Sequence, residues 1–318
     1  MKAAILEQYG ALVMHDVETP EPGDGEVLVR VHASSLNAAD WYGFSGRPYV
    51  ARPLMGLRGP KSDEAGTDFS GVVVAVGGGP DGLAPGDEVY GCQSGAFAEC
   101  VVAGAAVARK PASLSFEEAA AVPLAGLTAL QGLRDHGGLH SGQRVLVNGA
   151  SGGVGTMAVQ IAKALGAEVH AVCSPRNVEQ ARALGATHVF DYTRDDFTRG
   201  GERYDVLFDN AGNRSWRSMR RVLAPGATVV LVGGPREKRF VGPLGHLARV
   251  MVASKLGGPR AVFFIAKPNA DDLDALRGLI ESGQVEPMIE QRYELARIDD
   301  AMRRFGEGHV RSKIVVTM

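Results

Sequence analysis

The chain has 318 residues, enough for two ordinary domains, and its 45% hydrophobic and 22% charged residues are typical of a soluble globular protein. Its formal net charge is -2, without a basic block, so neither nucleic acid nor an anionic membrane surface is an expected partner. No apolar run reaches the roughly 18 residues that cross a bilayer, which also argues against a membrane partner.

The N-terminal residues MKAAILEQYG contain no charged stretch followed by a long apolar core, so we expect a first strand there rather than a secretion signal. Cysteine occurs at Cys92, Cys100 and Cys173, an odd count with wide spacing. This usage argues against a disulfide framework and favours a reducing compartment, the cytoplasm. No cysteine and histidine stand at zinc-ligand spacing, so no metal site is predicted.

Residues 1–110 consist of short β-like runs separated by glycine- and proline-rich turns. The clearest runs are GEVLVRVHASSL (25–36), SGVVVAVG (70–77) and EVYG (88–91). This pattern is typical of an antiparallel or barrel-like β domain.

Residues 115–136 are predicted to be helical, with Ser115 and Glu118 spaced for a capping box and Pro123 bending or interrupting the helix. Strands and helices then alternate, and the strands are continuous apolar runs, as in a parallel sheet covered by helices on both faces. The alternating segments are RVLVNGA, GVGTMAVQIAKALG, EVHAVC, VEQARALG, HVFDY, YDVLFDNAG, SWRSMRRVLAPG and ATVVLVGG. They predict a doubly wound α/β fold.

Residues 266–318 return to a mixed pattern. DDLDALRGLIESG predicts an amphipathic helix ended by Gly283, IDDAMRRFGEG predicts a second helix, and KIVVTM predicts a terminal strand.

The segment GASGGVG (149–155) follows a predicted strand and opens a predicted helix, which is the context of a dinucleotide-binding fingerprint. Ala150 takes the first glycine position, Gly152 the second, beside the pyrophosphate, and Gly155 the third, where the helix lies close to the strand. The helix start offers backbone N–H groups to phosphates. The predicted cofactor-binding residues of this loop are Ala150, Ser151, Gly152, Gly153 and Val154. The alternative is a tight turn without a ligand.

The end of the second strand of this fold distinguishes NADPH from NADH. EVHAVC is followed by Ser174, Pro175 and Arg176, without the carboxylate that an NAD site uses to bind ribose hydroxyls. An arginine can bind a 2′-phosphate, so Ser174 and Arg176 predict NADPH as the cofactor. Tyr192, after the next strand, is a further candidate near this phosphate. The alternatives are a solvated surface charge for Arg176 and a half-buried core residue for Tyr192.

The later strand ends, DNAG (209–212) and VGGP (232–235), fall at the carboxyl edge of the predicted sheet, where ligands bind. Asn210, Gly233 and Gly234 are therefore predicted to lie close to the ribose and nicotinamide. Plain turn chemistry is the alternative for these glycines.

Several segments together resemble the medium-chain dehydrogenase/reductase superfamily, in its zinc-independent quinone oxidoreductase-like branch. They are SSLNAADWYGFSGRPY (34–49), AGTDFSGVVVAVG (65–77), GDEVYG (86–91), GAFAEC (95–100), AAAVPLAGLTAL (119–130), VLVNGASGGVGTMAVQIAKALGA (145–167) and RSKIVV (311–316). The resemblance implies an α/β fold in which a Rossmann doubly wound parallel sheet, residues 119–265, is inserted in a GroES-like β-barrel catalytic domain, residues 1–118 and 266–318.

Comparison with the zinc-dependent members of this superfamily predicts that both of their zinc sites are missing here. Zinc-dependent relatives have a cysteine ligand where this chain has Asn37, and a His-Glu pair where it has Thr67 and Asp68. The loop of four cysteines that they carry is absent. These departures predict a reaction without zinc, and a metal-free site suits a quinone or an activated C=C bond better than an alcohol.

By the same resemblance, Asn37 is the first candidate near the nicotinamide and the substrate carbonyl, with a catalytic and a cofactor-binding role. Tyr42 and Tyr49 are catalytic candidates that polarise the carbonyl or relay a proton, which solvent can equally supply. Asp40 matches a family aspartate, with a structural role in the loop as the alternative.

Four further positions are expected to bind the cofactor. Thr128 matches a position that contacts the nicotinamide amide, and Phe263 and Phe264 either wall the nicotinamide pocket or pack in the core. Lys313 matches a terminal glycine-lysine pair in which Ser312 here replaces the glycine.

These observations predict an NADPH-dependent reductase of a small-molecule electrophile, either a quinone or an enone. One alternative is an enoyl-thioester reductase, for which a loop with Arg47, Arg52, Arg58 and Lys61 offers a basic patch or simply a solvated surface. The other is a non-catalytic NADPH-binding protein. The segment 236–262 is interpreted as a lid, a dimer surface or a substrate wall. The resemblance implies a homodimer.

Overall fold

The computed structural model describes residues 1–78, 82–234, 239–255, 257–308 and 310–318. The described chain divides into two compact units, one made of Met1–Leu127, Lys267–Gly283 and Pro287–Met318, and the other of Thr128–Ala266 and Gln284–Glu286. The second unit is thus inserted into the first. Among the described residues, no helix is long and apolar enough to cross a membrane.

The chain up to residue 131 forms strands and short helices. In chain order they are β1 (Lys2–Gln8), β2 (Ala11–Asp16), β3 (Glu26–Ser35), α1 (Ala38–Ser45), α2 (Arg52–Met55), β4 (Asp68–Gly77), β5 (Glu88–Cys92), β6 (Cys100–Ala103), β7 (Val107–Arg109), α3 (Phe116–Ala120) and α4 (Pro123–Gln131).

From residue 132 onward, a π-helical turn (Gly132–His136) leads into the alternating region. Its elements are β8 (Arg144–Asn148), α5 (Gly153–Ala164), β9 (Glu168–Cys173), α6 (Val178–Ala183), β10 (His188–Asp191), β11 (Tyr204–Asp209), α7 (Trp216–Met219), β12 (Leu223–Leu231), α8 (Leu244–Ser254) and β13 (Arg260–Phe263). The chain ends in α9 (Ala270–Glu281), β14 (Ile289–Glu294), α10 (Ile298–Gly306) and β15 (Lys313–Thr317).

The first unit is built on a sheet with the strand order β14-β15-β3-β4-β5-β7 and with β6 paired to β3, seven strands within the described ranges. All its pairs are antiparallel except β14 with β15. The C-terminal strand β15 pairs with β3, so that Val315 lies opposite Ser35. Residues from both ends of the chain therefore meet at one end of this sheet.

The second unit contains a parallel sheet whose described strands follow the order β10-β9-β8-β11-β12-β13. The strands are buried apolar runs such as RVLVN and YDVLFD, as a sheet covered on both faces requires. The direction of winding reverses between β8 and β11, and ligands of such sheets bind at the carboxyl ends of the strands at this point. The predicted fold class is confirmed.

Two of the helices predicted from the sequence differ in how well they match the structure. The capping box of Ser115 and Glu118 is confirmed, and α4 begins at Pro123, where an interruption was expected. The segment SWRSMRRVLAPG was predicted as one helix, but α7 covers only Trp216–Met219 and a 3-10 turn follows. Leu223 already belongs to β12, because it pairs with Tyr204 of β11 and is buried there. Strand pairing overrides the local helical pattern.

His170 gives the second unit a pH-dependent stability. It is buried in β9, with Nδ1 3.0 Å from the Tyr204 hydroxyl and Nε2 3.0 Å from Glu168 Oε1. Burial lowers the pKa of His170, while the Glu168 carboxylate opposes this shift. The unfolded chain then binds a proton that the folded chain does not, so the free energy of unfolding decreases as the pH falls below about 6.5, the ordinary histidine value.

We expect His170→Gln to reduce this pH dependence between pH 7 and pH 5, measured by urea unfolding at several pH values. His140, an exposed histidine of the same unit, provides the control variant His140→Gln, which should keep the wild-type slope. A wild-type slope in the His170 variant would contradict the assignment.

Candidate cofactor and active site

The turn between β8 and α5 carries the glycine cluster. Gly149 has a φ of +91°, the left-handed region that glycine tolerates, so the residue that makes the tight turn is Gly149. Ala150, which was predicted at the first glycine position, has a buried side chain and donates its backbone N–H to Val172 O at 3.0 Å. The sequence did carry the signal, since Gly149 directly follows the strand.

The other two glycines of the cluster meet different surroundings. A Cβ on Gly155 would lie 2.1 Å from Gly149 O, so only glycine lets α5 pass this close to the turn. A Cβ on Gly152 would find Asn210 Nδ2 nearest, at 3.9 Å, so the space beside Gly152 is open. Residues 151–154 are partly exposed, and α5 begins at Gly153. The space beside Gly152, at the start of α5, forms a cradle that could hold a pyrophosphate, because the first N–H groups of a helix have no acceptor within the helix.

A buried polar group supports this edge of the sheet. Asp209 is fully buried at the end of β11 and accepts hydrogen bonds from Asn148 Nδ2 at 2.8 Å and Gly212 N at 2.9 Å. His246 Nε2 lies 3.4 Å from its other carboxylate oxygen. The bond to Asn148 joins the carboxyl ends of β8 and β11. The pairing of Asn148 with Asp209 was not predicted from the sequence. The available signal is that each is the polar last residue of an apolar strand.

The predicted residues Asn210, Gly233 and Gly234 lie at the same edge. Asn210 Nδ2 is 3.5 Å from Gly149 O, beside the glycine turn. A Cβ on Gly233 would lie 2.4 Å from Asn210 O, and one on Gly234 would lie 2.7 Å from Pro243 Cβ. Close packing at the sheet edge therefore explains why both positions are glycine, without reference to a ligand. Of the segments predicted here, Pro235, residues 236–238 and Leu256 lie outside the described residues.

The predicted phosphate residues follow β9 and β10, which are parallel neighbours. Ser174 precedes the 3-10 turn Pro175–Asn177, and its Oγ accepts a hydrogen bond from Asn177 Nδ2 at 3.0 Å. Arg176 is exposed in that turn. Tyr192 is 44% exposed, and its N–H bonds to Cys173 O at 3.2 Å. The structure therefore brings a hydroxyl, a guanidinium and a phenol to one edge of the sheet.

Three other predicted cofactor residues belong to the second unit. Thr128 is half-buried on α4. Phe263, at the end of β13, is 39% exposed. The ring of Phe264 stacks on His136 with a centroid distance of 4.3 Å, which favours a packing role for this residue.

In the first unit, one carboxylate gathers side chains from several elements. Asp68, at the start of β4, is fully buried, and its Oδ2 accepts hydrogen bonds from Ser35 Oγ at 2.9 Å, Asn37 Nδ2 at 2.8 Å and Lys313 Nζ at 3.1 Å. Its Oδ1 accepts from the backbone N of Leu124 at 2.9 Å and from the Cys92 thiol at 3.4 Å. We call Ser35, Asn37, Asp68, Cys92 and Lys313 the Asp68 cluster.

Lys313 is 3% exposed and uses its whole ammonium group within the first unit. Besides Asp68, its Nζ donates to Asn37 Oδ1 at 2.7 Å and to Leu36 O at 3.0 Å. An ammonium has three N–H donors, so all of them have protein acceptors. In this structure the three donors hold the cluster, and the contact of Lys313 with the cofactor stays a prediction. Ser312, before it, adopts a φ of +80°, which explains why a glycine suits this position.

Asn37 immediately precedes α1, and Asp40 holds the loop around it. The Asn37 backbone N donates to Asp40 Oδ2 at 2.7 Å, and Thr67 Oγ1 donates to Asp40 Oδ1 at 2.7 Å. Burial raises the pKa of Asp40 to about 6, against the opposing effect of the Thr67 hydrogen bond. These contacts favour the structural alternative for Asp40.

The two predicted catalytic tyrosines are held differently. Tyr42, on α1, is half-buried with its ring edge-on to Trp41 at a centroid distance of 5.5 Å. The guanidinium of Arg52 lies 4.7 Å from the ring centroids of both Tyr49 and Tyr9, and its Nε donates to Gly46 O at 3.0 Å. Arg52 is therefore engaged between two aromatic rings rather than contributing to a solvated basic patch.

The arrangement can be compared with known proteins. Residues 23–132 match the alcohol dehydrogenase GroES-like domain family, and residues 184–316 match the zinc-binding dehydrogenase family. In the described part of this chain, however, no group of three or more His, Cys, Asp or Glu residues could hold a metal ion.

Individual relatives cover nearly the whole chain. The chloroplast envelope quinone oxidoreductase homolog of Arabidopsis thaliana is 32% identical over 317 residues, which cover 94% of this chain and 92% of that protein. The 2-methylene-furan-3-one reductase of Solanum lycopersicum is 32% identical over 335 residues, 99% of this chain and 79% of that protein. The structure of the Escherichia coli quinone oxidoreductase complexed with NADPH is 25% identical with a TM-score of 0.83, covering 100% of both chains.

The Asp68 cluster predicts a large effect of removing its cation. Lys313→Met leaves the buried Asp68 carboxylate without a counter-charge, and we expect the free energy of unfolding to fall by roughly 3–5 kcal/mol. Combining it with Asp68→Asn removes both charges and should restore most of the loss. Urea unfolding at neutral pH measures both effects.

Lys110→Met is the matched control. The Lys110 side chain is also buried, but its ion-pair partner, Glu88, is 54% exposed and remains solvated when the lysine is lost. We expect a smaller loss of stability for this variant. If both variants lose the same free energy of unfolding, leaving Asp68 buried without Lys313 costs no more than losing an ordinary buried lysine, and the prediction is wrong.

Proposed function

The chain belongs to the quinone oxidoreductase-like branch of the medium-chain dehydrogenase/reductase superfamily and is an oxidoreductase; we propose that it reduces a quinone or the activated C=C bond of an α,β-unsaturated carbonyl with NADPH. The observation that carries this proposal is the cradle between β8 and α5, where Gly152 borders open space at the start of a helix. Its relatives are named for the reduction of both kinds of acceptor.

In this proposal the second unit holds the cofactor, which supplies the hydride when bound. The backbone N–H groups of residues 151–154 bind the pyrophosphate, because the first N–H groups of a helix have no acceptor within the helix and lie at the positive end of its dipole. Asn210 borders the cradle and contributes an amide beside Gly149. Thr128 and Phe263 are the proposed contacts of the nicotinamide half.

Ser174, Arg176 and Tyr192 support NADPH as the cofactor rather than NADH. The guanidinium of Arg176 can make charge-assisted hydrogen bonds to a 2′-phosphate. Because Ser174 Oγ already accepts a hydrogen bond from Asn177, its own hydrogen remains to donate to a phosphate oxygen. Tyr192 offers a phenol at the same edge.

The first unit is proposed to act on the substrate. The carbonyl group of a quinone or an enone withdraws electrons, and negative charge develops on its oxygen as the hydride adds. Hydrogen-bond donors stabilise that charge. Asn37 offers one amide N–H for this purpose, and Tyr42, Tyr49 or solvent supplies the proton that completes the reduction.

We propose that this reaction proceeds without a metal. Asn37 and Thr67 are neutral side chains, and the ammonium of Lys313 lies 2.7 Å from Asn37 Oδ1. A fixed positive charge at this distance disfavours a divalent cation on the same oxygen.

The remaining proposals concern assembly and location. β13 forms one edge of the described parallel sheet, and edge strands present backbone groups for pairing with another chain. We propose a homodimer that uses this edge, next to which Ile265 is exposed, and sedimentation velocity on the purified chain would reveal a monomer if this is wrong. Cys92, Cys100 and Cys173 are free thiols, which suits the reducing cytoplasm.

The cofactor preference depends on Arg176. Arg176→Ala should raise the Kd for NADPH by about 10- to 100-fold, the equivalent of losing one or two charge-assisted hydrogen bonds, and should leave the Kd for NADH unchanged. Fluorescence titration of both nucleotides measures this. Arg182→Ala is the control, because Arg182 is an exposed arginine on the following helix that pairs with Glu179. A parallel loss of affinity for both nucleotides would refute the 2′-phosphate assignment.

The acceptor class can be tested by NADPH oxidation with 1,4-benzoquinone, an acyclic enone and a crotonyl thioester. We expect turnover with the quinone or the enone, unchanged after dialysis against a chelator. Turnover with the thioester alone would favour an enoyl-thioester reductase instead. Absence of turnover with all three acceptors, despite tight NADPH binding, would favour a non-catalytic NADPH-binding protein.

A further inference from the structure

The side-chain amide of Asn37 has one chemically sensible orientation. Lys313 Nζ can only donate hydrogen bonds, so the Asn37 atom 2.7 Å from it must be the oxygen. The Asp68 carboxylate, with a positive lysine beside it, accepts hydrogen bonds, so the Asn37 atom 2.8 Å from it must be the nitrogen. A flipped amide would set N–H against ammonium and C=O against carboxylate.

This orientation decides what Asn37 can offer to a ligand. Its oxygen is taken by Lys313, and one Nδ2 hydrogen is taken by Asp68. The other Nδ2 hydrogen donates to Ser35 O in a long hydrogen bond of 3.5 Å. Asn37 as a whole is buried, with 8% of its surface exposed. The most weakly held group of this amide is therefore an N–H donor, which a stronger acceptor can take over from Ser35 O.

We propose that Lys313 is a positioning residue, which fixes the Asn37 amide so that it presents an N–H, and not its C=O, to the substrate oxygen on which negative charge develops. The inference rests on the proposed function, because it assigns a role within that reduction. Lys313 itself does not touch the substrate, since its three donors are all used by Leu36, Asn37 and Asp68.

The Asp68 carboxylate is the second half of this arrangement. Its charge balances that of Lys313, and its Oδ2 accepts from both Asn37 and Lys313. The pair therefore combines one cation facing the amide oxygen with one anion facing the amide nitrogen. Removing both charges would restore electrical balance without restoring a preference for one amide orientation.

The experiment compares Lys313→Met, the charge-balanced double variant Lys313→Met/Asp68→Asn, Lys313→Arg and the control Lys110→Met. Steady-state kinetics with NADPH and the best acceptor give kcat, and titration gives the Kd for NADPH. In parallel, ¹H–¹⁵N spectra follow the Asn37 side-chain amide, which is identified by its absence in Asn37→Ser.

We expect kcat to fall by about 10- to 100-fold in Lys313→Met, less than the loss that follows removal of an oxyanion donor itself. The Kd for NADPH should stay unchanged. In the double variant, stability should recover while kcat stays low, and in Lys313→Arg part of kcat should return because the charge is kept. The Asn37 amide should exchange slowly with solvent in the wild type and rapidly in both methionine variants. Lys110→Met should keep the wild-type kcat.

Three outcomes would overturn the proposal. One is recovery of kcat together with stability in the double variant, which is the behaviour of a purely structural ion pair. Another is an equal loss of NADPH affinity in Lys313→Met. The third is a slowly exchanging Asn37 amide in the folded double variant. If the wild type turns over no acceptor, the proposed function fails, and the spectra still decide whether Lys313 fixes the amide.

Discussion

The buried ion pair of Asp68 and Lys313 is the constraint on which the first unit depends. A fully buried carboxylate is costly unless charge and hydrogen bonds compensate it. Here Ser35, Asn37, Cys92 and the backbone of Leu124 complete the coordination that Lys313 begins. These groups come from β3, the start of α1, β5, α4 and β15, so the compensation is available only when distant parts of the chain have assembled. The strand order of the first unit is therefore also the arrangement in which the buried charge of Asp68 is compensated.

The second unit depends on a backbone constraint instead. The parallel strand order places the ends of β8 and β11 side by side, and the buried Asp209–Asn148 hydrogen bond ties these ends together. The left-handed Gly149 and the close approach at Gly155 then aim the start of α5 at the same edge. The open space beside Gly152 at the start of α5 follows from this geometry of the main chain. In the proposed function it holds the pyrophosphate, and Arg176 favours NADPH over NADH.

Local chemistry explains which features were predictable from the sequence. The alternation of buried strands and helices, the capping box at Ser115 and the glycine-rich turn are all signalled within about ten residues along the chain, a range over which local patterns act. The prediction of one helix over 215–226 was wrong because the competing interaction, the pairing of Leu223 with Tyr204, is not local. The positive φ of Gly149, one residue before the first fingerprint position at Ala150, was not predicted, because spacing alone does not reveal which residue takes a positive φ.

The candidate site was less predictable than the fold for the same reason. Lys313 and Asp68 are 245 residues apart, and nothing in either neighbourhood indicates that they meet. Resemblance alone suggested a cofactor ligand at Lys313, and the three acceptors that its ammonium has inside the first unit were not predicted. In the same way, Arg52 belongs to a pattern of basic residues in the sequence but is held between two tyrosine rings in the fold. Partners of buried and stacked charges have to be read from tertiary structure.

The central claim, that this oxidoreductase delivers hydride from NADPH to an electron-poor acceptor, can be tested by one isotope measurement. NADPH deuterated at either face of nicotinamide C4 would be consumed with an enone, and the product would be analysed by mass spectrometry and NMR. The account predicts one deuterium at the β carbon from one of the two faces and none at the α carbon, which takes its hydrogen from the protein or water. A reduced product without deuterium, from either labelled cofactor, would contradict it.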